Sequence, residues 1–156
     1  MIERIKMIKI TDELKNRIRD HEGCVDTVYL DSLGKATVGI GHLVKPHEHE
    51  RFHEGVKLSQ EEIEDLFDID LNRAAAGADR LISNNCPSPL PEIIHGVILE
   101  MVFQLGEYGV GKFKNMWTSL AEGDFKAAAE HMKDSRWHAQ TKNRCESLAS
   151  MVANAA

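Results

Sequence analysis

The chain of 156 residues lacks positive charge: 19 lysines and arginines against 25 acidic residues leave a formal net charge of −6. That deficit argues against non-specific attraction to nucleic acid or anionic lipid. It also argues against a protein that finds an anionic cell wall by bulk charge, so any wall binding has to come from a local cleft. Cysteine is scarce as well. Cys24, Cys86 and Cys145 are odd in number and widely scattered, which yields neither a framework of bridges nor metal-knuckle spacing. They read as reduced thiols of a protein made in a reducing cytoplasm. No stretch approaches the roughly 18 apolar residues needed to span a bilayer. Met1 to Ile10 is apolar but broken by Glu3, Arg4, Lys6 and Lys9, and it lacks the apolar centre and cleavage site of a secretory signal. If the target lies outside the inner membrane, something other than this segment provides the passage. Internal repeats and low-complexity segments are missing too.

What is present suits a globular domain. Hydrophobic residues make up 42% and charged residues 28%, enough to bury a core, and the length predicts one domain divided into lobes. Thr11 or Asp12 can cap a first helix, with Leu14 and Ile18 on one face and Gly23 ending it just after Glu22. The helix dipole disfavours negative charge at that end, so a carboxylate there is expected to protonate more easily. Val25 to His42 is rich in β-branched residues and glycine. Asp31-Ser32-Leu33-Gly34 supplies turn chemistry between two extended runs, giving a hairpin, or a three-stranded sheet if the chain beyond joins it. Pro46 to Gly55 reads as a polar loop. Ser59 with Glu62 forms a capping box, and Ile63, Leu66, Phe67, Asp70, Leu71 and Ala74 keep helical spacing almost to Arg80. Asn84 to Pro91, with three prolines, reads as a loop. Ile93 to Phe103, Phe113 to Leu120, Phe125 to Met132 and Gln140 to Ala153 follow as helices. The expected fold is α+β: a small lobe at about 11–58, a connecting helix at 59–80 and an all-α lobe at 81–156, with the active cleft between the lobes.

The chemistry starts from Glu22, placed ahead of a hairpin that presents Asp31 and, across the turn, Thr37. Breaking a glycosidic bond needs an acid to protonate the leaving oxygen and a carboxylate to assist at the sugar carbon. Different surroundings can hold one carboxyl protonated and the other ionised. Alone, the pairing carries little weight in a chain with 25 acidic residues, where solvated surface carboxylates are the ordinary reading. Thr37 can equally be a good strand former, and Arg144 a surface cation. Gly39 and Gly41 suggest close backbone approach rather than a phosphate loop, since no helix follows them.

The neighbouring residues change the weighing. His21-Glu22-Gly23, followed by Tyr29-Leu30-Asp31-Ser32-Leu33-Gly34-Lys35-Ala36-Thr37-Val38-Gly39-Ile40-Gly41-His42, closely resembles the active-site hairpin of T4-type phage lysozymes. Met101 to Gly106, with Gly109, Val110 and Phe113, looks like the core helix of the family's C-terminal lobe. Ser135-Arg136-Trp137, Gln140-Thr141 and Asn143-Arg144 are similar to its closing motif. The resemblance covers roughly Asp12 to Arg144. It implies a lysozyme-like fold and a muramidase cutting the β-1,4 bond between N-acetylmuramic acid and N-acetylglucosamine, as an endolysin or a virion-associated lysozyme. It makes Glu22 the general acid, and has Asp31 and Thr37 position the attacking water. Inversion at the sugar carbon would need carboxyls roughly 6.5–9.5 Å apart. Leu43, Phe103 and Gln104 would contact substrate; His42, Asp70 and Arg144 would support the site, Arg144 beside the glutamate and His42 paired with Asp70. No cofactor and no metal are implied. The partner is the glycan strand of peptidoglycan, with no nucleic acid and no membrane, and a monomer made in a host cytoplasm and acting on the wall is expected.

The sequence also departs from the family. Met116 and His131 stand where it carries small polar residues, and the leader has no counterpart in the type member. Two rival readings follow. A wall-binding protein could keep the fold without catalysis, although such a module has no need of the acid. His49-Glu50-Arg51-Phe52-His53 is a literal zinc-protease signature, which requires a sturdy helix to bring both histidines to one metal.

Overall fold

The computed structural model describes residues 8–31 and 34–155. The leader before Ile8, and Ser32 and Leu33 of the expected turn, lie outside the described residues. The described residues hold one antiparallel sheet of three strands and eight α-helices, the expected α+β class. They divide into two compact units, residues 11–72 and residues 8–10 with 73–155.

In the first unit, α1 (Asp12–Glu22) begins where the hydroxyl of Thr11 accepts the Leu14 N–H at 3.1 Å and ends at Gly23, whose φ of +73° closes the helix. Leu14 and Ile18 are its buried residues. Strands β1 (Val25–Leu30), β2 (Ala36–Gly39) and β3 (His42–Leu43) form a meander. Tyr29 stands opposite Thr37, Thr37 opposite Leu43 and Val38 opposite His42. Because directly opposed residues share a face, Tyr29, Thr37 and Leu43 line one side, and Val38 and His42 the other. The chain beyond does join: Thr27 bridges Lys57, and the Leu58 N–H donates to Asp26 O at 2.8 Å. The polar segment after β3 contains a short 3-10 turn, Pro46–Glu48, and still buries Phe52.

Helix α2 (Gln60–Asn85) opens on the expected reciprocal cap, with Glu62 N–H to Ser59 Oγ at 3.1 Å and Ser59 N–H to Glu62 Oε1 at 3.0 Å. Its first half buries Ile63, Phe67 and Leu71 within the first unit. Arg19 and Lys15 of α1 reach Glu64 and Asp68 on it. The helix runs past Arg80 to Asn85, further than its spacing suggests. Leu81 is buried beyond the expected end, and no proline occurs before Pro87.

In the second unit, α3 (Glu92–Leu105) buries Ile94, Val97, Ile98, Leu99 and Met101 completely. It packs against α4 (Glu107–Gly111) and α8 (Lys142–Ala153), while α6 (Phe125–Lys133) packs against α5 (Lys114–Ala121) and α8. A further short helix, α7 (Arg136–Gln140), is capped by the Ser135 hydroxyl accepting the His138 N–H at 3.2 Å. The spacing predicts no helix at α4 or α7 and starts the last one at Gln140. Five-residue helices are too short to show a period, and Thr141 separates α7 from α8. Cys145 is buried, donates to Met132 O at 3.4 Å, and has its thiol pushed by burial up to about 11. Burial also raises Cys86, while Cys24 is exposed.

Glu100 is wholly buried in α3 and accepts the Arg144 Nε–H at 2.9 Å, with the arginine side chain only 9% exposed. Removing one member of a buried ion pair strands the other charge in a poor solvent. Glu100→Gln is therefore expected to lower the unfolding free energy by about 3–5 kcal/mol, read from urea denaturation.

Candidate active site

The end of α1 rests on one residue without a side chain, in the reversal between β2 and β3. A Cβ placed on Gly41 would lie 2.7 Å from Glu22 Oε1 and 2.9 Å from its Cδ, so the Glu22 carboxyl occupies the space over that backbone. Gly41 also has φ +69°, a conformation that side-chain-bearing residues rarely adopt. Asp31 follows β1, where its N–H donates to Lys35 O and its Oδ1 accepts the Lys35 N–H, both at 2.8 Å. The Lys35 N–H thus holds one carboxylate oxygen. Thr37 is 5% exposed, and its hydroxyl donates to Lys35 O at 3.1 Å.

Tyr29 links these groups. Burial, then the charges of Glu22 and Asp31, push its phenol up. Its partner across the ladder is Thr37. The first unit therefore relates Glu22, Asp31 and Thr37 to Tyr29, with Glu22 over Gly41. Leu43, 44% exposed, shares the Thr37 face and offers apolar surface beside it.

His42 lies on the other side of the sheet, 4% exposed. Its Nδ1 is 2.7 Å from Asp70 Oδ2, the expected pair, and its Nε2 is 3.1 Å from both oxygens of Glu48. Phe52 meets the ring edge-on at 5.7 Å. Burial works to lower the His42 pKa, but the bonds and charges of Asp70 and Glu48 prevail and raise it. Burial likewise opposes ionisation of Glu48, yet the Lys45 N–H and the imidazole hold that carboxyl below its ordinary value.

The remaining candidates belong to the second unit. Arg144 is held by Glu100, as above. The amide oxygen of Gln104 accepts the Trp137 Nε1–H at 2.9 Å, and its nitrogen donates to Thr141 Oγ1 at 3.3 Å. Gln104 therefore fixes α7, and Phe103 beside it is half-buried. Within this unit a cavity of about 530 Å³ opens over Phe113, Met116 and Trp137, with His131, Lys114 and Arg136 among its polar lining. Met116 and His131, the two departures from the family pattern, thus line one cavity. The zinc signature does not gain the helix it requires: residues 49–53 contain no helix, and His53 Nδ1 donates to Glu54 O at 3.0 Å.

The sequence does not single out Tyr29, Glu48 or Glu100 as contributors, whereas Gly41 reads there as a position of close backbone approach and lies under the Glu22 carboxyl. The position of Glu100, the one carboxylate between Ile93 and Phe103, was a readable signal. Glu48 carried none, since it lies among His47, His49 and Glu50 in a segment of uniform polarity.

A family model for phage lysozyme matches residues 19–152. The pre-baseplate central spike protein of Enterobacteria phage T4 is 30% identical over 86% of this chain, which spans 26% of that protein's length. Two probable T4-type lysozymes of Dictyostelium discoideum are similar over nearly their whole length. The first is 28% identical over 92% of this chain and 95% of its own, the second 27% over 91% and 94%.

The His42 cluster generates a pH signature. A raised histidine pKa gives stability that is present below the unfolded value of about 6.5 and is lost as pH rises through the folded value. The lowered Glu48 contributes above about 4.5 and loses its part as pH falls through its folded value. The Tm difference between the wild type and His42→Asn is expected to peak between these limits and to shrink on the alkaline side, measured by thermal melts across pH.

Proposed function

The chain belongs to the phage lysozyme family, and from that membership we propose that it is a muramidase hydrolysing the β-1,4 bond between N-acetylmuramic acid and N-acetylglucosamine in bacterial peptidoglycan. The observation that carries this reading is the Glu22 carboxyl seated on Gly41, with Asp31 and Glu22 both felt by Tyr29 and with Thr37 opposite it. A binding module has no need of an acid kept in place by a missing side chain.

In this mechanism Glu22 donates its proton to the glycosidic oxygen as the bond to the sugar carbon breaks. A water held by Asp31 and Thr37 adds to that carbon, and its proton passes to Asp31. The products leave Glu22 ionised and Asp31 protonated, and exchange with solvent resets both. The Lys35 N–H holds one oxygen of Asp31 in place. No cofactor enters these steps. Leu43 gives apolar surface for a sugar ring beside Thr37. Phe103 and Gln104 of the second unit are assigned to substrate contact. The protein acts on the wall as a bacteriolytic enzyme, and no helix among the described residues is long and apolar enough to cross a membrane.

Two variants test the assignment. Glu22→Gln removes the acid but keeps the shape, and is expected to reduce clearing of purified peptidoglycan by on the order of 10²–10⁴-fold while retaining wall binding. Clearing that persists in this variant would sink the role given to Glu22. Gly41→Ala forces a methyl group into the Glu22 carboxyl and strains the backbone by roughly 1–2 kcal/mol. A loss of rate larger than its loss of stability is expected, from parallel turbidity and denaturation measurements.

A further inference from the structure

Glu48 has no part in the reaction just described, yet it is tied to the residues that carry it. Its carboxylate faces His42 Nε2, while Asp70 of α2 takes Nδ1. The side chains of Glu48 and Asp70 are 17% and 13% exposed. Glu48 also fixes the chain leaving β3: its Oε1 accepts the Lys45 N–H at 3.0 Å, and its own N–H donates to Lys45 O at 2.8 Å. Phe52 closes the edge of the ring, with Arg51 over Phe52 at 4.6 Å. The charged groups around His42 are thus Asp70 from α2, Glu48 and Lys45 from the turn segment, and Arg51 behind the aromatic ring. From β2, the facing residue is the apolar Val38. The residue preceding His42 is Gly41, the floor beneath Glu22.

The geometry points to Glu48 as a positioning residue: with Asp70 it clamps His42 as an imidazolium and thereby fixes Gly41 under the Glu22 carboxyl. This rests on the reading of Glu22 as the acid of a muramidase. Only the imidazolium has an N–H on both nitrogens, so only it can satisfy both carboxylates. A neutral ring keeps one N–H and turns a lone pair toward the other carboxylate. Asp70 has the shorter contact and is the less exposed of the two, so Nδ1 keeps its N–H toward Asp70 and Nε2 loses the proton it donated to Glu48. The clamp is complete at mildly acidic pH and opens as pH rises through the titration of His42. Because two carboxylates sustain the charged ring, opening falls above the ordinary histidine range.

Glu48→Gln keeps an acceptor oxygen and removes only the charge. The test follows three quantities against pH in the full chain: the His42 ring nitrogens and the Gly41 amide by NMR, and the rate of peptidoglycan clearing. In the wild type the Gly41 amide is expected to titrate with His42, and the alkaline limb of clearing to share that midpoint. In Glu48→Gln all three midpoints are expected to move to lower pH together, by roughly one unit. Glu48→Asp restores the charge and is expected to move them back. A His42 midpoint that does not move overturns the proposal. So does one that moves while the Gly41 amide and the alkaline limb stay in place, which would make Glu48 a structural partner only. Should the wild type clear no peptidoglycan at any pH, the muramidase reading fails, and the two NMR midpoints still decide the clamp.

Discussion

The Glu22 carboxyl occupies a volume that any side chain at position 41 would fill, and much of the first unit follows from that exclusion. A carboxylate at the C-terminal end of a helix is opposed by the helix dipole and has no fixed direction of its own. Here it is directed by the backbone it rests on. That backbone has to be glycine for space and for its left-handed conformation, which lets β2 reverse into β3 within two residues. Reversal in turn places His42 on the face opposite Thr37, where α2 can reach it with Asp70. One missing methyl group thus connects a helix end, a tight strand reversal and a buried ionic cluster.

The features legible in the sequence were those whose causes are local. Thr11 and Ser59 cap helices because a hydroxyl satisfies an N–H within three residues, and both caps form as read. Gly23 ends α1 for the equally local reason of its backbone freedom. The helix boundaries that were misjudged depend on tertiary contacts. The last turns of α2 persist because Ala78 and Leu81 are buried, which spacing alone does not reveal. The same division holds at the site. Glu22, Asp31 and Thr37 stand in a pattern specific enough to read, but Glu48 reaches His42 only because a polar segment folds back as a 3-10 turn. Tyr29 reads as an ordinary strand residue until the register sets it opposite Thr37.

The two units rest on different balances of the same forces. In residues 11–72, charged side chains bracket a modest core, with Arg19 and Lys15 bound to α2 over the ring of Phe67. Such partly exposed pairs each add little and mainly orient the helices. In the second unit α3 buries an unbroken run from Val97 to Val102, and its one buried carboxylate is a liability unless Arg144 accompanies it. A buried pair of this kind selects one packing of α3 against α8 more than it adds net stability.

The thiols carry a consequence for the surroundings in which the protein can work. Disulfide exchange needs a thiolate that solvent or another sulfur can reach. Cys145, buried and raised to about 11, is almost never ionised near neutrality, and Cys86 is buried as well. Only Cys24 is exposed, so no pair of accessible sulfurs exists within the folded chain. A transfer from reducing to oxidising conditions therefore leaves the internal sulfurs unbridged and the fold unchanged. The vulnerable moment is before folding, when all three thiols are accessible.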